Sequence, residues 1–275
     1  TARMTTAGHR RISNMEKTFL HSGDMGDIIV SLCAMRQLGG GFLYLDPSGG
    51  LTVGEYTNVV RMQTLGKGLK FNDRSFEFIK PLLEVQPYVT RVEKYAGEKI
   101  DFDLNRFRAG LTNLDIVKQT GGNLFLLNCV AWGFNKGEVN NPWMFVEGEK
   151  KLDRPYVIAR STRYQGGHIF YRASSLFLEK NAYFIGTEFE RGILNNAIET
   201  DIPLYDCQDA LDMARVILGA DCVMANSTFQ FWLALALGHK NILHECCPDL
   251  AVSLFKNHPN IRNFIGMRCE KEKNK

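Results

Sequence analysis

No stretch of the sequence is long and apolar enough to cross a membrane as a helix. The longest apolar runs, residues 125–130 and 229–237, fall well short of the roughly 20 residues that a bilayer core requires. The seven cysteines are odd in number, Cys246 and Cys247 are adjacent, and no C-x-x-C pair occurs. A disulfide framework and a zinc knuckle are therefore not expected, and reduced thiols point to a cytoplasmic protein. There is no Walker-type Gly-Lys-Ser/Thr loop and no G-x-G-x-x-G fingerprint, so nucleotide hydrolysis and hydride transfer lose their usual signatures. His21, His168, His239, His244 and His258 have no metal-ligand spacing, and no cofactor or metal is expected. Charge of one sign is not concentrated either: the formal net charge is +3, and the lysine-rich tail at 271–275 reads as a solvated end. Contact with phosphate-bearing ligands fits such a balance, whereas a dedicated DNA-binding stripe is missing.

What is present is the composition of a water-soluble globular protein, with 45% apolar and 23% charged residues over 275 positions. That length suits one large α/β domain or two small ones, and the pattern favours two. Residues 1–14 are polar and basic and precede Met15; they read as a leader, an extension or a cloning remnant. From Lys17 the chain reads strand (residues 18–21), a small acidic turn, a helix with Ile28, Ile29, Leu32, Met35 and Leu38 at helical spacing, a stop at Gly39 to Gly41, and a strand at 42–45. Such a unit implies a parallel sheet with a right-handed crossover. A Gly- and Thr-rich loop covers 46–68, Asp73 reads as the N-cap of a helix through Leu83, a strand covers 89–95, and a helix covers about 123–132. The Asn-, Pro-, Glu- and Gly-rich segment 140–155 reads as a linker, dividing residues 15–148, an acceptor-side Rossmann-like domain, from 149–275, a nucleotide-sugar-binding domain. In the second half, strands at 156–159, 182–186, 222–225 and 241–243 alternate with helices near 173–179, 210–218 and 229–237. The expected fold is α/β, with two doubly wound parallel sheets facing a cleft.

In such sheets ligands bind beyond the carboxyl ends of strands, at helix N-termini whose free amides favour anions. Four loops qualify. In Gly23-Asp24-Met25-Gly26-Asp27 the glycines Gly23 and Gly26 allow a tight turn close to phosphate, and Asp27 with Asp24 offers a general base for an acceptor hydroxyl; Asp27 as a plain helix cap is the alternative. Arg160-Ser161-Thr162-Arg163 joins hydroxyls and guanidiniums into an anion cradle, or is a solvated basic loop. Glu188 and Glu190 follow a strand end, where an acid accepts from ribose hydroxyls or merely starts a helix. Asn226-Ser227-Thr228 opens an apolar helix as a diphosphate site or as a cap. Asp101-Phe102-Asp103 matches the Asp-x-Asp pattern of metal-dependent sugar transferases, a motif short enough to arise by chance.

Together these segments resemble the ADP-heptose:lipopolysaccharide heptosyltransferase family and its phage-type relatives, of GT-B fold. Ser22-Gly23-Asp24-Met25-Gly26-Asp27-Ile28-Ile29 is similar to the family's opening turn, which implies Asp27 as catalytic base. Asp101-Phe102-Asp103-Leu104 with Arg106-Phe107-Arg108 is similar to a structural strand ending of that family, which argues against a metal there. Ser161-Thr162-Arg163 falls where the family places hydroxyls on the sugar-diphosphate, Glu190 or Glu188 where it places the ribose acid, and Asn226-Ser227-Thr228 where it has Asp-Thr-Gly. Gly166 and Gly167 stand where the family has a phosphate lysine, and Asn226 where it has an aspartate.

The resemblance implies a metal-independent glycosyltransferase, a monomer or weak dimer, in the host cytoplasm if phage-encoded. Its donor would be a nucleotide-sugar. Its acceptor would be a hydroxyl compound, with a hydroxymethylated pyrimidine in double-stranded phage DNA, a saccharide and a lipopolysaccharide as the options. The alternative class is a non-catalytic nucleotide-sugar or nucleic-acid binding module, a decayed transferase.

Overall fold

The computed structural model describes residues 16–47, 71–162, 168–246, 255 and 257–265. The expected leader at 1–14, nearly all of the 46–68 loop, Arg163 and the basic tail lie outside the described residues.

Among the described residues the strands form two parallel sheets. The first contains β1 (Thr18–His21), β2 (Gly41–Leu45), β3 (Val89–Lys94) and the short β4 (Phe102–Asp103), in the order β3-β2-β1-β4. The second contains β5 (Tyr156–Ala159), β6 (Ala182–Phe184), β7 (Cys222–Ala225), β8 (Ile242–Cys246) and β9 (Ile261–Ile265), in the order β6-β5-β7-β8-β9. All pairings are parallel. Each order reverses once, between β1 and β4 in the first sheet and between β5 and β7 in the second. The carboxyl ends at those two switch points are where such sheets leave a crevice.

Helix α1 (Met25–Gln37) follows β1. Its residues Ile28 to Met35 are buried on every side, as a helix clamped between two layers requires. Helix α2 (Asp73–Glu84) begins one residue earlier than the sequence suggests: Asn72, in extended backbone, caps it by accepting from the Ser75 amide at 3.0 Å, and Asp73 lies inside the first turn. After β4 come a 3-10 segment (Leu104–Thr112), α3 (Leu114–Thr120) and α4 (Leu124–Trp132). In the second half the single helix expected near 173–179 is two, α5 (Ile169–Ala173) and α6 (Ser175–Asn181), broken at Ser174, whose ψ of 8° leaves the helical region. Then follow α7 (Glu188–Ile198), α8 (Ala210–Gly219) and α9 (Phe229–Ala236).

The two sheets are separate, but their core is shared. One continuous cluster joins Ile28, Ile29 and Leu32 of α1, Ile79 and Leu82 of α2, Met213 and Ile217 of α8, and Phe231, Trp232 and Leu235 of α9. A smaller cluster around Tyr171, Phe184 and Ile198 serves the outer part of the second sheet. The segment at 140–155 is not a loose tether. The amides of Trp143 and Met144 both donate to the Ala236 carbonyl, at 3.0 and 3.1 Å, and the buried Trp143 indole donates to the Ile29 carbonyl at 2.9 Å. Its apolar Trp-Met pair outweighs the loop-forming residues around it, because burying that much surface stabilises more than a solvated linker would. Trp143→Ala removes both the packing and the anchor, so it should lower stability by about 3–5 kcal/mol, read as a fall in the urea midpoint with an unchanged slope.

Candidate functional site

At the switch point of the first sheet, the turn after β1 is held by a polar network. The Gly23 amide donates to His21 Nδ1 at 2.9 Å, which leaves the ring proton on Nε2 facing Ser31 Oγ at 3.2 Å. Burial, reinforced by the neighbouring Arg108 cation, pushes the His21 pKa well below the usual imidazole range, so this histidine is neutral at pH 7. From the end of β4, the Asp103 carboxylate accepts from the Asn105 side-chain amide at 2.7 Å. Asn105 Oδ1 in turn accepts from the Ser22 amide at 3.2 Å and from Arg108 at 2.9 Å. Arg108 completes the line with a charged hydrogen bond to Asp27 Oδ2. The guanidinium is buried, with 3% of the Arg108 side chain accessible, whereas Asp27 keeps 23%. Gly23 is a glycine for a steric reason: a Cβ there would collide with the Arg108 guanidinium and lie 2.6 Å from the His21 ring.

Asp27 is not the cap of α1. Asp24 occupies that position without a capping bond from its side chain, and Asp27 stands within the first turn. Asp101 and Asp103 are committed to the scaffold: Asp101 accepts from the Thr18 amide and hydroxyl, both at 3.0 Å, and Asp103 caps the segment that follows it. Among the described residues no three His, Cys, Asp or Glu side chains stand together as a metal site.

The second switch point is joined by an amide ring. The Asn226 side chain accepts from the Ser161 amide at 3.1 Å and donates to the Ser161 carbonyl at 3.0 Å, tying the end of β7 to the end of β5. This two-way bond needs an amide, because a carboxylate has no hydrogen to give the carbonyl. Asn226 is fully buried, a strut between the two strand ends. Thr228 Oγ1 caps α9 by accepting from Phe231 at 3.3 Å. Ser227 Oγ lies 3.4 Å from His244 Nε2, and His244 Nδ1 lies 3.0 Å from Asn263 Oδ1. Asn263 donates its other amide atom to the Phe255 carbonyl at 2.7 Å, which fixes its orientation and places the histidine proton on Nδ1.

Other expected ligands are also engaged. Glu190 closes a capping box with Thr187, at 2.8 Å from its hydroxyl, and Glu188 pairs with Arg191. Arg160, grouped with the phosphate-binding guanidiniums by sequence, forms a bidentate pair with Glu245 at 2.7 and 2.9 Å, both side chains essentially inaccessible. No local sequence signal reveals it, since the partners are 85 residues apart. Ser161 and Thr162 remain at the rim, half-buried and exposed.

The two switch points meet. A Cβ on Gly26 would lie 3.3 Å from the Trp232 ring and 3.6 Å from Phe229 Cα, so the first turn of α1 rests against the first turn of α9. Two helix N-termini, each with unsatisfied amides, thus converge between the sheets.

Two outcomes follow from these contacts. Asn226→Asp should cost about 1–3 kcal/mol by breaking one bond of the ring and burying a charge, measured as a lower melting temperature. Burial lowers the His244 pKa to about 4, below its unfolded value of 6.5. Between those values the unfolded chain binds more protons, so stability contributed by neutral His244, of the order of 3 kcal/mol, is present above pH 6.5 and lost as pH falls toward 4. His244→Gln should flatten that part of the pH dependence of the urea midpoint.

No family model matches the sequence, and no curated protein matches it. Solved structures do. The glycosyl transferase family 9 protein from Veillonella parvula superposes with a TM-score of 0.51 at 9% identity, over 91% of this chain and 86% of that one. The E. coli ADP-heptose lps heptosyltransferase II does so with 0.52 at 11%, over 91% and 90%. The dodecameric iron-containing heptosyltransferase TibC, in complex with ADP-D-beta-D-heptose, gives 0.50 at 11%, over 92% and 64%. At these identities the likeness concerns architecture, and it agrees with the resemblance carried by the sequence: this chain has the heptosyltransferase-like GT-B fold.

Proposed function

We propose that this chain is a glycosyltransferase that moves a sugar from a nucleotide-sugar to an acceptor hydroxyl without a metal ion. The observation that carries the reading is the contact of the α1 and α9 N-termini at Gly26, because it sets Asp27 and the Ser161, Ser227 and Thr228 loops at one junction. The TibC structure, of like fold, holds a nucleotide-heptose, which supports a donor of this class.

In this mechanism the acceptor hydroxyl gives its proton to Asp27 as its oxygen attacks the anomeric carbon. The bond from that carbon to the diphosphate breaks, and the electron pair leaves with the nucleotide. The growing negative charge on the leaving oxygen is met by the first-turn amides of α9, beside the Ser161–Thr162 turn, fixed before the substrate arrives. The side chains of Asn226 and Thr228 act by shaping that turn, while Thr162 and the expected Arg163 supply direct contacts. Glu190, with one oxygen in the capping box, presents the other to the ribose.

For the acceptor, a hydroxymethylated pyrimidine in DNA is the finer reading. It rests on the mildly basic charge and on the 46–68 loop as the gripping element. A saccharide acceptor needs neither.

Asp27→Asn should reduce transfer by about 100-fold or more and leave the nucleotide-sugar dissociation constant within about twofold. Donor binding is followed by thermal shift across a panel of nucleotide-sugars, and turnover by release of nucleoside diphosphate with candidate acceptors. Unchanged turnover removes the base assignment, and tight donor binding by the wild-type chain with no turnover favours a binding module.

A further inference from the structure

The Asp27 carboxylate meets the cleft already held by one of its two oxygens. Arg108 binds Oδ2, and among the described residues nothing bonds Oδ1, although the side chain keeps access to solvent. Arg108 is itself keyed from behind. Its second terminal nitrogen donates to Asn105 Oδ1 at 2.9 Å, and the Asn105 amide cannot rotate because its other end donates to Asp103 at 2.7 Å. Every link therefore has one possible polarity: Asp103 accepts from Asn105, Asn105 accepts from Arg108, and Arg108 donates to Asp27. The guanidinium is packed 5.2 Å from the Phe107 ring centre, and the space in front of it is kept open by the missing side chain at Gly23.

We propose that Arg108 is a positioning residue for the transfer: it fixes the Asp27 carboxylate in one rotamer through Oδ2, so that Oδ1 is the oxygen that receives the acceptor proton. The proposal rests on the reading of Asp27 as the base. It demands a planar fork, since one group must reach Asn105 and Asp27 together along fixed directions. Lysine has a single nitrogen on a flexible stem and cannot hold both with that geometry. A buried cation also cannot be removed without consequence for its partner, which is why Gly23 and Asn105 are arranged around it.

The test compares Arg108→Ala, Arg108→Lys and Asp27→Asn with the double variant Arg108→Ala/Asp27→Asn, with thermal melts to establish that each folds. Arg108→Lys keeps the buried charge and serves if the alanine variant does not fold. The expected result is a fall in kcat of about 10- to 100-fold for both arginine variants, with the donor KM within about twofold. Guanidinium ion in the buffer should restore part of kcat to Arg108→Ala and none to the double variant. In the Asp27→Asn background the arginine change should cost nothing further. A folded arginine variant with normal kcat overturns the proposal while Asp27→Asn remains impaired. An equal additional loss in the Asp27→Asn background also overturns it, because Arg108 would then act independently of the carboxylate. Normal turnover in Asp27→Asn itself overturns the underlying base assignment, and that outcome is separate from the other two.

Discussion

The contact between Gly26 and the Phe229–Trp232 turn is the constraint on which the remainder depends. It brings a residue without a side chain at the start of one helix close against an aromatic in the first turn of another, from opposite halves of the chain. Because Gly26 lies one residue before Asp27 and Phe229 one after Thr228, closing this contact fixes where the acid and the amide-rich turn stand. The packing behind it, Trp143 over Ile29 and α2 against α8, makes the junction rigid rather than adjustable. A site assembled on such a base is pre-organised, and electrostatic stabilisation by fixed dipoles is effective only when they do not have to move.

Most of the side chains that look chemical in the sequence turn out to hold backbone. Asn226, Thr228, Glu190 and Asp103 each accept from a main-chain amide just past a strand end or at a helix start. That is what polar residues at the carboxyl rim of a parallel sheet have to do, since the strands there end with unpaired donors. The groups left to meet a ligand are consequently backbone amides, one aspartate oxygen and a few rim hydroxyls. Recognition of that kind suits a diphosphate, whose charge is spread over several oxygens.

The sheets and most helices were legible because short apolar strands and helically spaced runs such as Ile28, Leu32 and Met35 carry their periodicity locally. The turn at Gly23 to Asp27 was legible for the same reason, as were the loops at Ser161 and Asn226. What could not be read was pairing across distance. Arg108 with Asp27, Arg160 with Glu245, and His244 with Asn263 are separated by 81, 85 and 19 residues, and nothing in the local pattern marks them. The segment at 140–155 connects the two sheets, and what its Pro, Gly and Asn residues did not reveal is the buried Trp143 that packs it against the core. The break at Ser174 and strand β9 were hidden by segments too short for any periodicity to accumulate.

The Arg160–Glu245 pair stands directly behind Ser161, sealed from water. Replacing either partner alone would leave its mate a buried charge without its ion-pair partner, a loss of about 3–5 kcal/mol. Replacing both by fitted apolar residues could be nearly neutral. In a lineage of such chains these two positions are thus bound to drift in step, and an intermediate bearing one change would be purged before the second arrived. Sequences that keep the arginine should keep the glutamate, and those that lose one should have lost the other.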